Sequence, residues 1–368
     1  MTAAPQVIVL VFTGDSGLTH YSLSLARCLH EEGVSVQVLA GRSVAGEGFP
    51  AQPFPVLAYF RRSRWYPLDM LRLLWHLRRH PSAIVSVQSL LKSGWGEGLL
   101  FRGLRLLGQR CVMTVHDVQP HHPGRFSQAS HRWLYGAFAG LVVHSQRAAT
   151  TISAMGVSTP SSVVPHGLYD IFRVQVLPAA QWRRAYSSFD ADDFVLLFFG
   201  YLDVRKGIGE FLQLIGDHAA DPHLKFVIAG RNGLAAADPS AAAALVAARS
   251  DPRCLVMTEG VPFAEVQRYF EMADVVVMPY REGSTSGVLK LALAFGKPVV
   301  ASDVGDLGEA LSAGIGELVP ADYCMAELRR AVAKVRGNWP SYAQRCAAVA
   351  EGYSWPRLAS SYRTALGV

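Results

Sequence analysis

The chain has 368 residues, half of them hydrophobic and 17% charged, which excludes a disordered protein and suits two domains of ordinary size, each with its own core. Its five cysteines, Cys28, Cys111, Cys254, Cys324 and Cys346, are scattered and never form a CxxC pair. The expectation is therefore reduced thiols in a cytosolic compartment and no structural zinc. The net charge of +6 is uneven: residues 1–173 hold 16 Lys or Arg against 8 Asp or Glu, and residues 174–368 hold 19 against 21.

No apolar run approaches the length that spans a bilayer, and "MTAAPQVIVLVF" reads as a first strand, since it lacks the basic start and cleavage region of a leader. From there short β-branched runs alternate with helical stretches: "QVIVLVF", "THYSLSLARCLHEEG", "VSVQVLA", then "AIVSVQ", "CVMTVH" and "GLVVHS". Such alternation predicts parallel βαβ units covered on both faces. After "YDIFRVQVLPAAQWRRAYSSFDADD", which has few strand signals, the pattern restarts with "FVLLFFG", "LKFVIAG", "RCLVMTEG", "DVVVMPY" and "KPVVASD". The fold class is α/β, two Rossmann-like doubly wound parallel sheets. The expected divisions are 1–172, 173–352 and a terminal amphipathic helix in 353–368.

Ligands of open α/β sheets sit beyond the carboxyl ends of the strands, so motifs sort by strand end. "FDADD" spells a DxD metal motif but precedes "FVLLFFG"; it lies at the wrong end and is expected to be a solvated loop. Four loops of the second half lie at the right end. The first, "YLDVRKGIGEFL", places Arg205 and Lys206 before a helix N-terminus, where cations are unfavourable unless an anion is shared; a solvated basic turn reads equally well. The second carries Arg231 in "GRNG", a pattern more often a surface turn. The third leads from Val261 into a helix that suits a planar base. The fourth, "PYREGSTSGVLK", offers Gly283, Ser284, Thr285, Ser286 and Gly287, small residues whose amides can approach an anion, with Val288 and Lys290 behind them and the carboxylate of Glu282 in front. Phosphate repels a carboxylate, so Glu282 is expected to face neutral hydroxyls. A sugar joined to a diphosphate supplies both.

These segments resemble the donor-binding domain of GT-B glycosyltransferases of the retaining family 4 type. "FGYLDVRKGIGEFL" resembles the family's glycine and lysine turn, and "EGVPFAEVQRYFEMADVVVMPYREGSTSGVLKLALAFGKPVVASDVGDLGEAL" its long signature of two glutamates eight positions apart. "FTGDSGLTHYSLSLARCLHEEGVSVQVL", "VMTVHDV", "VVPHG" and "YSWPRLASSYRTAL" resemble the glycine loop, His-Asp turn, His-Gly turn and returning helix of that family. The resemblance implies two domains facing across a cleft, and a nucleoside diphosphate sugar, UDP- or GDP-linked, as donor. It implies donor-sugar contacts from Glu282 and His116, diphosphate contacts from Lys206 or Arg205, and close backbone approach at Gly14 and Gly17. His166, Asp15 and His20 are weaker candidates. It also implies no enzyme nucleophile, no cofactor and no metal. The second glutamate position is Lys290, whose ammonium cannot accept hydrogen bonds from a ribose; a phosphate contact or a solvent-facing side chain remain for it. The family's upstream arginine is replaced by Tyr201.

The basic excess of the first half concentrates in "YFRRSRWYPLDMLRLLWHLRRH". Arg61, Arg62 and Arg64 flank Trp65 and Tyr66, and a helix from Pro67 aligns Arg72, His76 and Arg79 on one face and Leu71, Leu74 and Trp75 on another. A basic amphipathic helix with interfacial aromatics docks on anionic lipid, and a solvated face over an ordinary core is the alternative. With the membrane reading, the acceptor is a lipid-linked glycan of cell-envelope or exopolysaccharide synthesis and the protein is cytoplasmic, peripheral on the inner membrane face. The rivals are a soluble transferase acting on a small metabolite, a nucleotide-sugar epimerase of the same fold, and a catalytically silent homologue that binds a partner. No nucleic-acid motif is present.

Overall fold

The computed structural model describes residues 6–46, 48–61, 63–89, 94–118, 127–175, 177–234, 238–283, 286–305 and 307–368. The chain divides into two compact units, Met1–Gly167 together with Tyr353–Val368, and Leu168–Gly352.

The first unit runs β1 (Val7–Val11), α1 (Gly17–Glu31), β2 (Val36–Gly41), β3 (Val56–Phe60), α2 (Tyr66–Arg78), β4 (Ile84–Val87), α3 (Gly94–Leu106), β5 (Cys111–Val115), α4 (Ser127–Tyr135), β6 (Gly140–Val143), α5 (Gln146–Ala154) and β7 (Ser161–Val163). Its seven strands are all parallel, in the order β3-β2-β1-β4-β5-β6-β7. The central strands β1, β4 and β5 are buried throughout and apolar but for Ser86 and Thr114, as expected where helices cover both faces.

The second unit runs α6 (Ala179–Tyr186), β8 (Phe194–Phe199), α7 (Ile208–Asp217), β9 (Leu224–Ala229), α8 (Pro239–Ala248), β10 (Cys254–Met257), α9 (Phe263–Met272), β11 (Val275–Met278), α10 (Gly287–Ala294), β12 (Val299–Ser302), α11 (Leu307–Leu311), β13 (Gly316–Val319), α12 (Met325–Gly337) and α13 (Trp339–Gly352). Its six parallel strands follow the order β10-β9-β8-β11-β12-β13. The last helix, α14 (Trp355–Leu366), belongs to the first unit. There Cys28 donates its thiol to Trp355 O, Arg110 donates to Leu366 O at 3.0 Å, and the Tyr21 and Tyr362 hydroxyls meet.

Both strand orders reverse direction once, between β1 and β4 and between β8 and β11, and a doubly wound sheet opens a crevice at that point. "FDADD" does precede β8, but it is not wholly solvated: Asp193 is buried, accepts from Asp190 N at 2.8 Å and lies 3.5 Å from Lys225 Nζ. It is a structural carboxylate. No helix among the described residues is long and apolar enough to cross a membrane.

Candidate functional site

In the second unit the two loops flanking the reversal point are stitched together by backbone. Arg281 N and Glu282 N, after β11, both donate to Arg205 O, after β8, at 2.8 and 3.1 Å. Gly207 permits this closeness: its φ is +72°, and a Cβ there would lie 1.9 Å from Pro279 O. The β11 loop is anchored further, with Tyr323 OH donating to Pro279 O at 2.7 Å, Ser302 Oγ donating to Tyr280 O, and Arg281 paired with Glu210 at 2.7 Å. Lys206 Nζ sits 4.0 Å from the centre of the Tyr280 ring and 3.8 Å from the place a Cβ on Gly283 would take. Burial pushes the Tyr280 phenol up to about 12, and its hydroxyl contacts Ser286 Oγ at 3.3 Å, so a neutral ring underlies the ammonium.

The sequence candidates therefore fall into groups. Lys206, Glu282, Gly283 and Ser286 are brought to one place, with Gly287 opening α10 and a Val288 methyl 3.6 Å from the place a Cβ on Gly200 would take. Lys290 is buried, 8% exposed, in the first turn of α10, which removes the solvent-facing alternative. Arg205 is exposed and pairs with Asp203 at 2.9 Å, and its hydrogen bond holds the Asp203 carboxyl below the usual range. Arg231 lies beside Gly260 and is bridged to Glu259, past the ends of β9 and β10, with an added Cβ on Gly260 3.6 Å from its Nε. Ser284 and Thr285 lie outside the described residues.

In the first unit Gly14 has a packing reason that the sequence reading did not contain. A Cβ there would lie 2.3 Å from Val44 N and 2.6 Å from Gly41 O, so the β1 loop is pressed on the end of β2. Gly17 opens α1 behind Ser16, where Thr13 Oγ1 meets Ser16 Oγ at 2.6 Å; Asp15 is exposed. A cavity of about 390 Å³ lies beside this loop, lined by Leu23, Val44, Phe49, Phe54, Val56 and others.

His20, in the first turn of α1, meets the edge of Phe49. Burial lowers its pKa from 6.5 to about 4, with Asp15 pulling the other way. As pH falls from 6.5 through 4 the unfolded chain takes up a proton that the folded chain refuses, so acidification destabilises the fold, in full by on the order of 3 kcal/mol. Denaturant titrations at pH 7 and pH 4.5 should show His20→Gln losing less stability on acidification than the parent, and equal losses would remove His20 as the cause.

His116, after β5, is joined by His144, after β6, and His166, after β7. His116 Nδ1 and His144 Nε2 are 3.3 Å apart, and one ring nitrogen of each of the three lies within 4.8 Å of the others. Burial, then the neighbouring His144, holds the His116 pKa well below the usual value. Tyr21 packs its ring on all three imidazoles. His144 was not a sequence candidate. His116 and His166 were considered singly.

On α2 the core side is Leu73 and Leu77 with buried Asp69; of the three residues expected on one face, Leu71 and Trp75 are 63% and 57% exposed and Leu74 packs partly against the core. They share the outer surface with Arg79, stacked on Trp75 at 3.2 Å, and Arg64 near Trp65. Arg61 is not a free surface cation, because its backbone and guanidinium donate to Asp69 at 2.7 and 3.0 Å. Arg72 also approaches Asp69, at 3.8 Å, and lies over Tyr59. His76 is tied to Gln37 at 2.7 Å, and Arg62 lies outside the described residues. Leu68, Trp95 and Leu99 extend the exposed apolar surface, and Tyr66 OH reaching Glu97 at 3.5 Å links α2 to α3.

Two doubly wound parallel sheets of this kind define a GT-B fold, and solved structures share it over nearly the whole chain. Anabaena HepE, solved with UDP and glucose, superposes with a TM-score of 0.75 at 14% identity over 99% of both chains. Sucrose-phosphate synthase from Thermosynechococcus elongatus gives 0.72 at 17% identity over 98% of both. Residues 16–169 match the model "Glycosyltransferase Family 4" and residues 193–338 match "Glycosyl transferases group 1". The chain belongs to the group 1 GT-B glycosyltransferases of the family 4 type. Among relatives, a GDP-mannose:glycolipid 4-beta-D-mannosyltransferase of Xanthomonas campestris pv. campestris is 27% identical over 81% of this chain and 79% of its own length. A 2-deoxystreptamine glucosyltransferase of Streptomyces kanamyceticus is 27% identical over 74% and 69%.

Proposed function

We propose that this chain moves a sugar from a UDP- or GDP-linked donor to a lipid-linked glycan during envelope or exopolysaccharide assembly, with retention of anomeric configuration and with no metal on the diphosphate. The observation that carries the donor reading is the stitched pair of loops at the β8/β11 reversal, which sets the Lys206 ammonium beside the small-residue entrance to α10. Charge develops on the departing diphosphate in such a reaction, and an ammonium with helix amides fixed beforehand lowers that barrier. Lys290, one turn into α10, adds positive charge behind them. Glu282 accepts from sugar hydroxyls, and the acceptor hydroxyl attacks from the face the phosphate leaves, giving it the proton. The HepE complex with UDP and glucose and the GDP-mannose in the relative's name support a nucleotide-sugar donor.

Calorimetry with a panel of nucleoside diphosphates and their sugars, with and without a chelator, is the test. Tight, chelator-insensitive binding of one base is expected; no binding to any leaves the silent homologue. Glu282→Ala should abolish transfer and leave the fold and nucleotide binding in place, and full activity in it would sink the assignment. The product anomer decides stereochemistry. A retained anomer is expected; an inverted product, which a β linkage like the one in the mannosyltransferase's name would be if formed from an α-linked donor, overturns retention.

The glycolipid in that name also supports a membrane-borne acceptor, as does exposed Leu71 and Trp75 between arginines on α2. Each cation at an anionic surface contributes about 1 kcal/mol. Replacing Leu71 and Trp75 by Ser and Arg79 by Glu should weaken sedimentation with phosphatidylglycerol vesicles by about tenfold or more. Unchanged sedimentation would favour the small-metabolite acceptor.

A further inference from the structure

We propose that α3 is a second membrane-contacting helix, so that α2 and α3 together lay one outward face of the first unit on an anionic bilayer surface. This role rests on the membrane-borne acceptor proposed above. α3 exposes Trp95 by 49%, Leu99 by 67%, Leu106 by 89% and Leu107, just past its end, by 57%. Leu99 and Leu106 each stand two positions from a core residue, Phe101 and Leu104, and two residues turn a helix by about 200°, so both lie about 160° from the buried face. Leu71 and Trp75 stand in the same relation to Leu73 on α2. Packing on the sheet therefore leaves both apolar stripes pointing outward. Past Leu107 the chain reverses at Gly108, whose φ is +84°, and the two leucines are left at the tip of the helix.

The two stripes belong to one surface. The connections β3-α2-β4 and β4-α3-β5 both move toward β7, so right-handed crossover puts both helices on the same side of the sheet. They adjoin where Tyr66 OH reaches Glu97 at 3.5 Å and a Cβ on Gly96 would lie 3.6 Å from that hydroxyl. Charge selects the occupant. Residues 61–110 hold nine Arg and one Lys against two acids, Asp69 and Glu97, and both acids are fully buried. The exposed charge of this segment is therefore cationic, with Arg64, Arg78 and Arg79 on the surface beside the apolar stripes. A second copy of the chain docked through a two-fold axis would set arginine against arginine. A bilayer instead meets the arginines with phosphate headgroups and the leucines with acyl chains. Trp65, directly before α2, and Trp95, in the first turn of α3, lie at the carboxyl end of the sheet and suit the headgroup level. That end also carries the loops that receive ligands in such sheets, so an acceptor whose lipid stays in the bilayer presents its glycan at the same edge.

Tag-free full-length protein is sedimented with vesicles of phosphatidylcholine alone and of phosphatidylcholine with phosphatidylglycerol. The triple variant Leu99→Ser, Leu106→Ser and Leu107→Ser, with α2 untouched, should bind the anionic vesicles about tenfold or more weakly than the parent. Its melting temperature should be unchanged, because all three positions are exposed. Brominated acyl chains should quench tryptophan emission more in the parent than in Trp95→Phe, a comparison that decides alone if the triple variant melts early. Unchanged affinity in a folded triple variant, or equal quenching in parent and Trp95→Phe, overturns the role of α3 and leaves docking to α2. A parent protein that binds no anionic vesicle overturns the membrane reading itself, and α3 with it. A parent that is dimeric without lipid and becomes monomeric in the triple variant gives the face to a second copy, which also overturns the proposal.

Discussion

Replacing Lys206 by methionine is expected to lower kcat by about 10²- to 10³-fold while changing donor KM far less, because the lost interaction is one that strengthens as the diphosphate departs. Methionine keeps the length of the side chain and its packing on the Tyr280 ring, so the change is chiefly one of charge. The fold should be indifferent, since Lys206 is part of a short turn that Gly207 and the Arg205 carbonyl hold in place through backbone. Lys206→Arg should recover part of the loss. A KM effect alone, with kcat unchanged, would place Lys206 in ground-state binding only. No effect on either would hand the diphosphate to Lys290 or Arg231, both at the same end of the sheet.

What the sequence showed and what it hid follow one physical rule. Ten of the strands were readable as apolar, β-branched runs, while β3, β7 and β13 were not. All three lie at sheet edges, where one side has no neighbour and fewer residues are buried: Ser161–Val163 is exposed throughout and Gly316–Val319 has a single buried residue. A strand announces itself in sequence by an apolar, buried run, and these edge strands lack it; the fourth edge strand, β10, was readable because Cys254–Met257 is apolar throughout although only partly buried. The donor loops were readable because glycine and lysine at a strand end carry a reason of their own, whereas the role of Gly14 depends on β2 lying beneath it. His144 was invisible for the complementary reason. Each histidine alone at the end of an apolar run means little. Only the order β5-β6-β7, with neighbouring parallel strands a few ångströms apart, places three strand-end histidines together. On α2 the sequence placed Leu71, Leu74 and Trp75 together on one face; Leu71 and Trp75 are exposed and Leu74 packs partly against the core, while Asp69, which no apolar pattern marks, occupies part of the buried side, held there by Arg61.

The second large effect is on stability. Arg183→Ala should destabilise the second unit by about 3–5 kcal/mol, the usual cost of removing one partner from a buried ion pair. Arg183 is 4% exposed and spends its guanidinium on Met272 O, Ala191 O, Asp193 O and Asp274 Oδ2 at 2.6 to 3.0 Å. It thereby closes α6 over the amino ends of β8 and β11. Burial already raises the Asp274 pKa, and Arg183 is the largest opposing influence. Without the guanidinium that carboxylate is left with Val195 N, at 2.7 Å, and the charge of nearby Lys297. A raised acid pKa means that the folded state binds the extra proton, so the variant's deficit should shrink as pH falls toward the carboxylate range and be full at neutral pH. Adding Asp274→Asn removes the stranded charge while keeping an acceptor for Val195, and the double variant should be more stable than Arg183→Ala alone at pH 7. Because this pair sits at the opposite end of the sheet from Lys206 and Glu282, nucleotide affinity measured well below the melting transition should be unchanged in both variants. If affinity falls with stability, the two ends of the sheet are coupled, and the donor loops depend on α6 as well as on their own backbone stitching.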